Sequence, residues 1–206
     1  RETWLLLFLS VLVETAYYIV LSTAYQDADF SLVYPLARGA VPLMIAIWSV
    51  IFLREQLTAG GLLGLVIIIA GLSVIGFSNF LEPRQNGSTP HWHGMRLALL
   101  LALLISIYST IDGAAVKQTP AFAYAVLVFF LSPVLATPLV LKRYGWQTLR
   151  TELSRHKLRI LVIGILTVGA YLLALAAYSM ARISYSGAVR EVSVVLGALA
   201  GWLLLG

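Results

Sequence analysis

Apolar runs of about twenty residues, broken only by short polar or Pro/Gly stretches, follow one another along almost the whole chain. They lie near residues 4–24, 31–53, 60–79, 96–116, 121–141, 159–180 and 184–206, and are labelled spans A to G. A helix rising 1.5 Å per residue needs about 20 apolar residues to cross roughly 30 Å of hydrocarbon, so each run has the length of a membrane span. Hydrocarbon offers no partner to a backbone N–H or C=O, and only helices or closed barrels satisfy the backbone from within. Barrel strands are short and alternate in polarity, whereas these runs are long and continuously apolar. The fold class read from the sequence is therefore an all-α polytopic membrane protein, a helical bundle of about seven spans.

Composition closes off the other classes. Hydrophobic residues make up 60% of the 206 and charged residues only 11%, too few to cover the surface of a water-soluble domain. The net charge of +5 is read as loop charge that sets topology, so no nucleic-acid partner is expected. With no cysteine there is no disulfide framework and no thiol nucleophile. No G-x-x-x-x-G-K-[ST], G-x-S-x-G or H-E-x-x-H is present, so neither direct ATP use nor hydrolysis is expected, and the chain is read as not an enzyme. Span G lacks the lysine a seven-span retinal protein would need. His91 and His93 have no third ligand beside them, so no metal and no cofactor are expected. Asn86-Gly87-Ser88 fits a glycosylation sequon that matters only in a secretory setting. The first run is read as a mature span rather than a removable leader, and the ends, Arg1 and an apolar run still in progress at Gly206, as those of a fragment.

An internal repeat organises the chain. Tyr18, Ala24, Tyr25, Ala28 and Ser31 match Tyr171, Ala177, Tyr178, Ala181 and Ser184 at one offset of 153 residues, and Arg38 matches Arg190 at 152. Spans A and B thus correspond to F and G, five spans later, and an odd repeat reverses the second copy across the membrane. Glycines at Gly60, Gly64 and Gly71 in span C and Gly197 and Gly201 in span G are read as sites of close helix packing.

The stretch from Ala24 to Gly39 (Ala-Tyr-Gln-Asp-Ala-Asp-Phe-Ser-Leu-Val-Tyr-Pro-Leu-Ala-Arg-Gly), then Pro42, Leu53-Arg54-Glu55-Gln56-Leu57-Thr58, Gly64 and Gly71, resembles the EamA domain of the drug/metabolite transporter superfamily. Tyr185-Ser186-Gly187-Ala188-Val189-Arg190-Glu191-Val192-Ser193 resembles the second copy of the same motif. The resemblance implies two inverted five-helix repeats, of which about seven of ten helices would be present. Residues 1–80 would then be the C-terminal part of the first repeat, 81–95 the inter-repeat loop and 96–206 a truncated second repeat. It also implies a secondary transporter, an exporter of small metabolites, amino-acid-like compounds or drugs working by alternating access in a bacterial inner membrane. The competing class is a non-transporting seven-span receptor or scaffold. The partners expected are a small-molecule substrate, the lipid bilayer and a coupling proton, with the oligomeric state left open.

An ionisable group deep in a span is a functional candidate by default, because it is costly unless paired or wet. Glu14 and Arg38 lie about 13 and 11 residues from the Asp27 turn, a depth mismatch of about 3 Å, and are expected to face each other with Tyr18 one turn away. A purely structural ion pair is the alternative use of these residues. Arg190 and Glu191 are adjacent and about 100° apart round a helix, so Arg190 is expected to seek Asp112 instead, unless Asp112 sits solvated at the headgroups. Tyr108 and Tyr171 complete the set of pathway candidates. Pro35 and Pro42 are kink or gating candidates in span B, and Glu55 is a structural residue expected to serve the turn into span C at Thr58. The loop 142–159 holds Lys142, Arg143, Arg150, Arg155, Lys157 and Arg159, which the positive-inside rule places in the cytoplasm and the family template outside. Its part Trp146–Leu158 is read as an amphipathic surface helix, and the template's orientation is preferred.

Overall fold

The computed structural model describes residues 2–27, 30–81, 91–194, 196, 199 and 203, and every regular element among them is helical. In chain order these are α1 (Glu2–Asp27), α2 (Phe30–Leu53), α3 (Ala59–Leu81), α4 (His91–Val116), α5 (Ala121–Tyr144), α6 (Trp146–Arg155), α7 (Lys157–Met180) and α8 (Ile183–Arg190). Apart from α6, they fall on spans A to G. Four contain stretches apolar and long enough to cross a membrane: Glu2–Ala24, His93–Val116, Ala121–Tyr144 and Lys157–Met180. The described apolar parts of the next two, Ala37–Leu53 and Ala59–Gly71, are shorter. The chain is thus an integral, multi-pass membrane protein by length, composition and helical content.

Span G departs from the sequence expectation. Instead of one continuous helix from residue 184, α8 ends after eight residues, Glu191 sits in a turn, and helix resumes over 192–194. Bonds from Glu191 N to Ala188 O and from Val194 N to Glu191 O, 3.1 and 3.0 Å, tighten the backbone on either side of this turn. Gly197 and Gly201, the Asn86 sequon and residues 204–206 lie outside the described residues.

Helix α4 is the centre of the bundle. One of its faces runs through Ala98, Ala102, Ser106, Ser109 and Gly113, residues small enough to let neighbours approach. Helices α1 and α2 each pack along α4, while touching each other only slightly, and α7 also closes on it. The main core joins Leu7 and Val11 of α1, Val41 and Ile45 of α2, Ile105 and Tyr108 of α4, Tyr124 and Val128 of α5, and Leu175 and Tyr178 of α7. Outward-facing apolar residues remain abundant, as on α7 at Leu158, Leu161, Ile165, Leu166 and Leu173. Burial alone does not order these positions; their solvent is lipid.

The close-packing glycines are not the expected ones. A Cβ on Gly60, Gly64 or Gly71 would meet nothing within 4 Å. The tight approaches are at Gly61, which lies under the Tyr185 ring, at Gly113 against Ile183, and at Gly187 against Ile45. The physical reason is α8, a short helix that meets α2, α3 and α4 with a glycine at each approach. Accordingly, Gly113→Leu, whose Cβ would fall 2.5 Å from Ile183 Cδ1, is expected to cost about 1–3 kcal/mol in a detergent unfolding titration, whereas Gly64→Leu should be near neutral. Equal losses at the two sites would contradict this packing.

Candidate functional site

Three polar clusters lie inside the bundle. In the first, Arg38 of α2 donates from Nη1 to both carboxylate oxygens of Glu191 at 3.1 Å, and Glu191 is fully buried. Arg190 Nε reaches the same carboxylate at 3.3 Å, and its Nη1 donates to Ser109 Oγ on α4, also at 3.3 Å. Two guanidinium groups thus converge on one carboxylate. Arg190 Nη2 is buried with no hydrogen-bond partner among the described residues. Tyr108 is buried on α4 beside these arginines.

In the second cluster Asp112 of α4, fully buried, collects three hydroxyl donors from three other helices. Ser10 of α1 donates to Oδ1, Tyr124 of α5 to Oδ1 at 2.8 Å and Tyr171 of α7 to Oδ2 at 2.7 Å. Charge-assisted bonds of this kind hold an acid in a low-dielectric interior. In the third, Glu14 of α1 accepts from Ser132 Oγ of α5 at 2.8 Å. Ser132 lies one residue before Pro133, which interrupts the α5 hydrogen-bond ladder together with Pro138. Tyr17 links the clusters sideways, its ring 5.3 Å from Tyr18 and 5.7 Å from Tyr108.

These contacts correct several expected pairings. Glu14 and Arg38 do not face each other: α1 and α2 lie on α4 with little mutual contact, so equal depth does not bring them together. Arg190 and Glu191 do pair, Nε to Oε1 at 3.3 Å: Glu191 keeps right-handed helical backbone angles (φ −74°, ψ −10°), and the long Arg190 side chain reaches round the stagger. Asp112 is not the partner of Arg190 and is not at a solvated level; its oxygens are filled by Ser10, Tyr124 and Tyr171. Pro42 is buried in α2, one turn after Arg38, where it removes an amide from the ladder. Pro35 lies on α2, but its side chain is outside the described residues.

Glu55 also has a different task from the expected one. Arg54 takes the left-handed conformation, φ 53°, at the end of α2, and Glu55 N returns to Ser49 O at 3.1 Å. This turn aims the Glu55 carboxylate at the N-terminus of α8, where it accepts from Ile183 N at 2.7 Å, Ser184 N at 3.2 Å and Ser184 Oγ at 2.7 Å. Lys117 Nζ stands 3.9 Å away. An anion here meets unsatisfied amides and the positive end of the helix dipole. Thr58 caps α3 itself, accepting from Gly61 N at 3.2 Å, while its amide donates to Tyr185 Oη at 2.8 Å.

The residues missed by sequence reasoning are Glu191 as acceptor and the hydroxyls of Ser10, Ser109, Tyr124 and Ser132. Glu191 stands next to Arg190, the residue that the repeat matches to Arg38. Two surface pockets lie beside the clusters. One of about 380 Å³ lies between Leu6, Trp48 and Ile111, and another of about 360 Å³ between Tyr18, Pro133, Thr137 and Leu149. Among the described residues no group of three His, Cys, Asp or Glu could hold a metal ion.

Residues 1–77, which take in α1, α2 and most of α3, match the model of the EamA-like transporter family, consistent with an EamA domain of the drug/metabolite transporter superfamily. Members of that family are membrane transporters, not enzymes. No curated protein and no solved structure matches the chain.

The cap on α8 gives a direct test. Glu55→Gln should cost about 1–2 kcal/mol and speed hydrogen exchange at the Ile183 and Ser184 amides, while leaving exchange in α5 unchanged. Unchanged exchange at those two amides would show that Glu55 does not hold the start of α8.

Proposed function

We propose that the chain is the core of a secondary transporter that moves small metabolites, amino-acid-like compounds or drugs outward by alternating access. Two units, residues 1–80 and 96–206 joined by 81–95, rock against each other as inverted repeats. The observation that carries this reading is the Arg38–Glu191 bridge, which joins α2 of the first unit to the end of α8 in the second at 3.1 Å. Glu191 adjoins Arg190, the repeat counterpart of Arg38, which supports a pseudo-twofold relation between the α2 and α8 regions. With Glu55 fastened to the start of α8, the two units are tied at one end and again deeper in the bundle. Such ties are of the kind that a rocking motion exchanges for others.

The chemistry available to a substrate follows from what remains unsatisfied. Arg190 Nη2 is a spare charged donor, and a guanidinium suits a carboxylate or similar anion. Tyr108 borders that region, and Tyr17 connects it to Tyr18 and Glu14. Glu14, met by the hydroxyls of Ser132 and Tyr18, has one hydroxyl partner fewer than Asp112, held by three, and is the carboxyl assigned to proton exchange during the cycle. In this account Asp112 and Tyr171 position helices rather than touch substrate.

Counterflow of radiolabelled amino acids and monocarboxylates in proteoliposomes tests the proposal. Saturable counterflow is expected, and Arg190→Lys should raise its half-saturation concentration about tenfold, since the planar fork is lost and the charge kept. Glu14→Gln should abolish accumulation driven by a pH gradient and spare counterflow. Absence of saturable counterflow for every compound, or an Arg190→Lys variant with unchanged half-saturation, would contradict this reading.

A further inference from the structure

The segment 142–159 joins α5 to α7 and takes no part in the polar clusters. It carries Lys142, Arg143, Arg150, Arg155, Lys157 and Arg159 against the single carboxylate of Glu152. That surplus equals the net charge of the entire chain, +5, so basic and acidic residues elsewhere balance. Glu152 faces His156 one turn on, 3.7 Å away, which leaves the arginines and lysines without an acid of their own in this segment. Arg143 is anchored to neutral groups, Thr23 Oγ1 at 3.2 Å and Gln26 Oε1 at 2.9 Å.

The geometry places this charge at a defined level. Only Gly145, at φ 76°, separates α6 from α5, and only His156 separates it from α7. Both neighbours have the length and apolarity of membrane spans, so α6 lies where they leave the hydrocarbon. Trp146, Leu149 and Leu153 recur at i, i+3 and i+7 and form one stripe on this ten-residue helix. Leu149 turns toward the pocket beside Tyr18, while Trp146 and Leu153 are 67% and 57% exposed, and no residue of α6 is buried. An exposed Trp and Leu on a short basic helix, at the exit of two spans, match the boundary between acyl chains and phosphates.

We infer that α6 and its basic flanks form a docking surface for anionic phospholipid headgroups. The apolar stripe enters the acyl boundary, and Arg150, Arg155, Lys157 and Arg159 meet the phosphates. A soluble acidic partner fits less well, because it would leave the stripe in water. The inference is independent of what the protein transports.

The chain has no cysteine, so Ser154→Cys carries a single environment-sensitive fluorophore without background labelling. The labelled chain is placed in nanodiscs of mixed phosphatidylcholine and phosphatidylglycerol, with bromine on one lipid or the other at equal bromine content. Quenching by brominated phosphatidylglycerol should exceed that by brominated phosphatidylcholine about twofold or more, and the excess should shrink in about 0.5 M NaCl. Arg150→Gln, Arg155→Gln and Lys157→Gln together should bring the two to parity, and Arg150→Lys with Arg155→Lys should keep the excess. Equal quenching in the unaltered chain, or an excess that survives the triple glutamine substitution, overturns the inference. So does the absence of quenching by either lipid together with a fluorescence change on adding polyglutamate, which would assign the surface to a soluble acidic partner.

Discussion

A buried carboxylate in a lipid-embedded bundle has to be met by donors, and Glu191 is met by two arginines. It is fully excluded from solvent, accepts from Arg38 on another helix and from its own neighbour Arg190, and could not remain charged there without them. Much of the described architecture is consistent with serving that one meeting. Helix α8 stops at Arg190 so that Glu191 falls in a turn. Gly187 lets α8 approach Ile45 of α2, and Gly113 lets α4 approach Ile183. Glu55 fixes where α8 begins, four residues before Gly187.

Around this bridge, α4 works as a polar spine in an otherwise apolar bundle. Ser109 takes Arg190, Asp112 takes hydroxyls from α1, α5 and α7, and Ser106 takes the Trp48 indole at 3.0 Å. In hydrocarbon the hydrophobic effect does not choose between helix neighbours, so packing of small residues and hydrogen bonds do. Helices α1 and α2 each find α4 by these means, and that is why they hardly touch each other. The bundle is thereby held by contacts that are few, specific and individually exchangeable, which suits a protein that alternates between two arrangements.

What could be read from the sequence is what depends on composition and period. The positions of α1 to α5 and α7 followed from run length, and of the amphipathic helix expected over Trp146–Leu158 in the basic loop, α6 takes Trp146–Arg155 while Lys157 and Leu158 already belong to α7. The pairings could not be read in the same way. Depth along a helix put Glu14 beside Arg38, but depth says nothing about which helices are neighbours, and α1 and α2 each pack on α4 rather than on each other. Regular helical stagger kept Arg190 from Glu191, but a long guanidinium side chain reaches round it. Glu55 was assigned to its own turn because sequence shows the neighbour at Thr58 and hides Ser184, which is brought to it only by the fold. The repeat came nearest to this long-range contact, since it matches Arg38 to Arg190, the neighbour of Glu191.

The most direct measurement is a double-mutant cycle on that bridge, with Arg38→Met, Glu191→Met and the pair compared by reversible unfolding in mixed micelles. If Glu191 organises the structure, Glu191→Met, which strips both guanidiniums of their carboxylate, costs about 3 kcal/mol or more, Arg38→Met, which leaves Glu191 to Arg190 alone, costs less, and the pair costs at least about 1 kcal/mol less than the sum. Additivity within about 0.5 kcal/mol would mean that the two residues do not interact, and that α2 and the end of α8 are held together by something else.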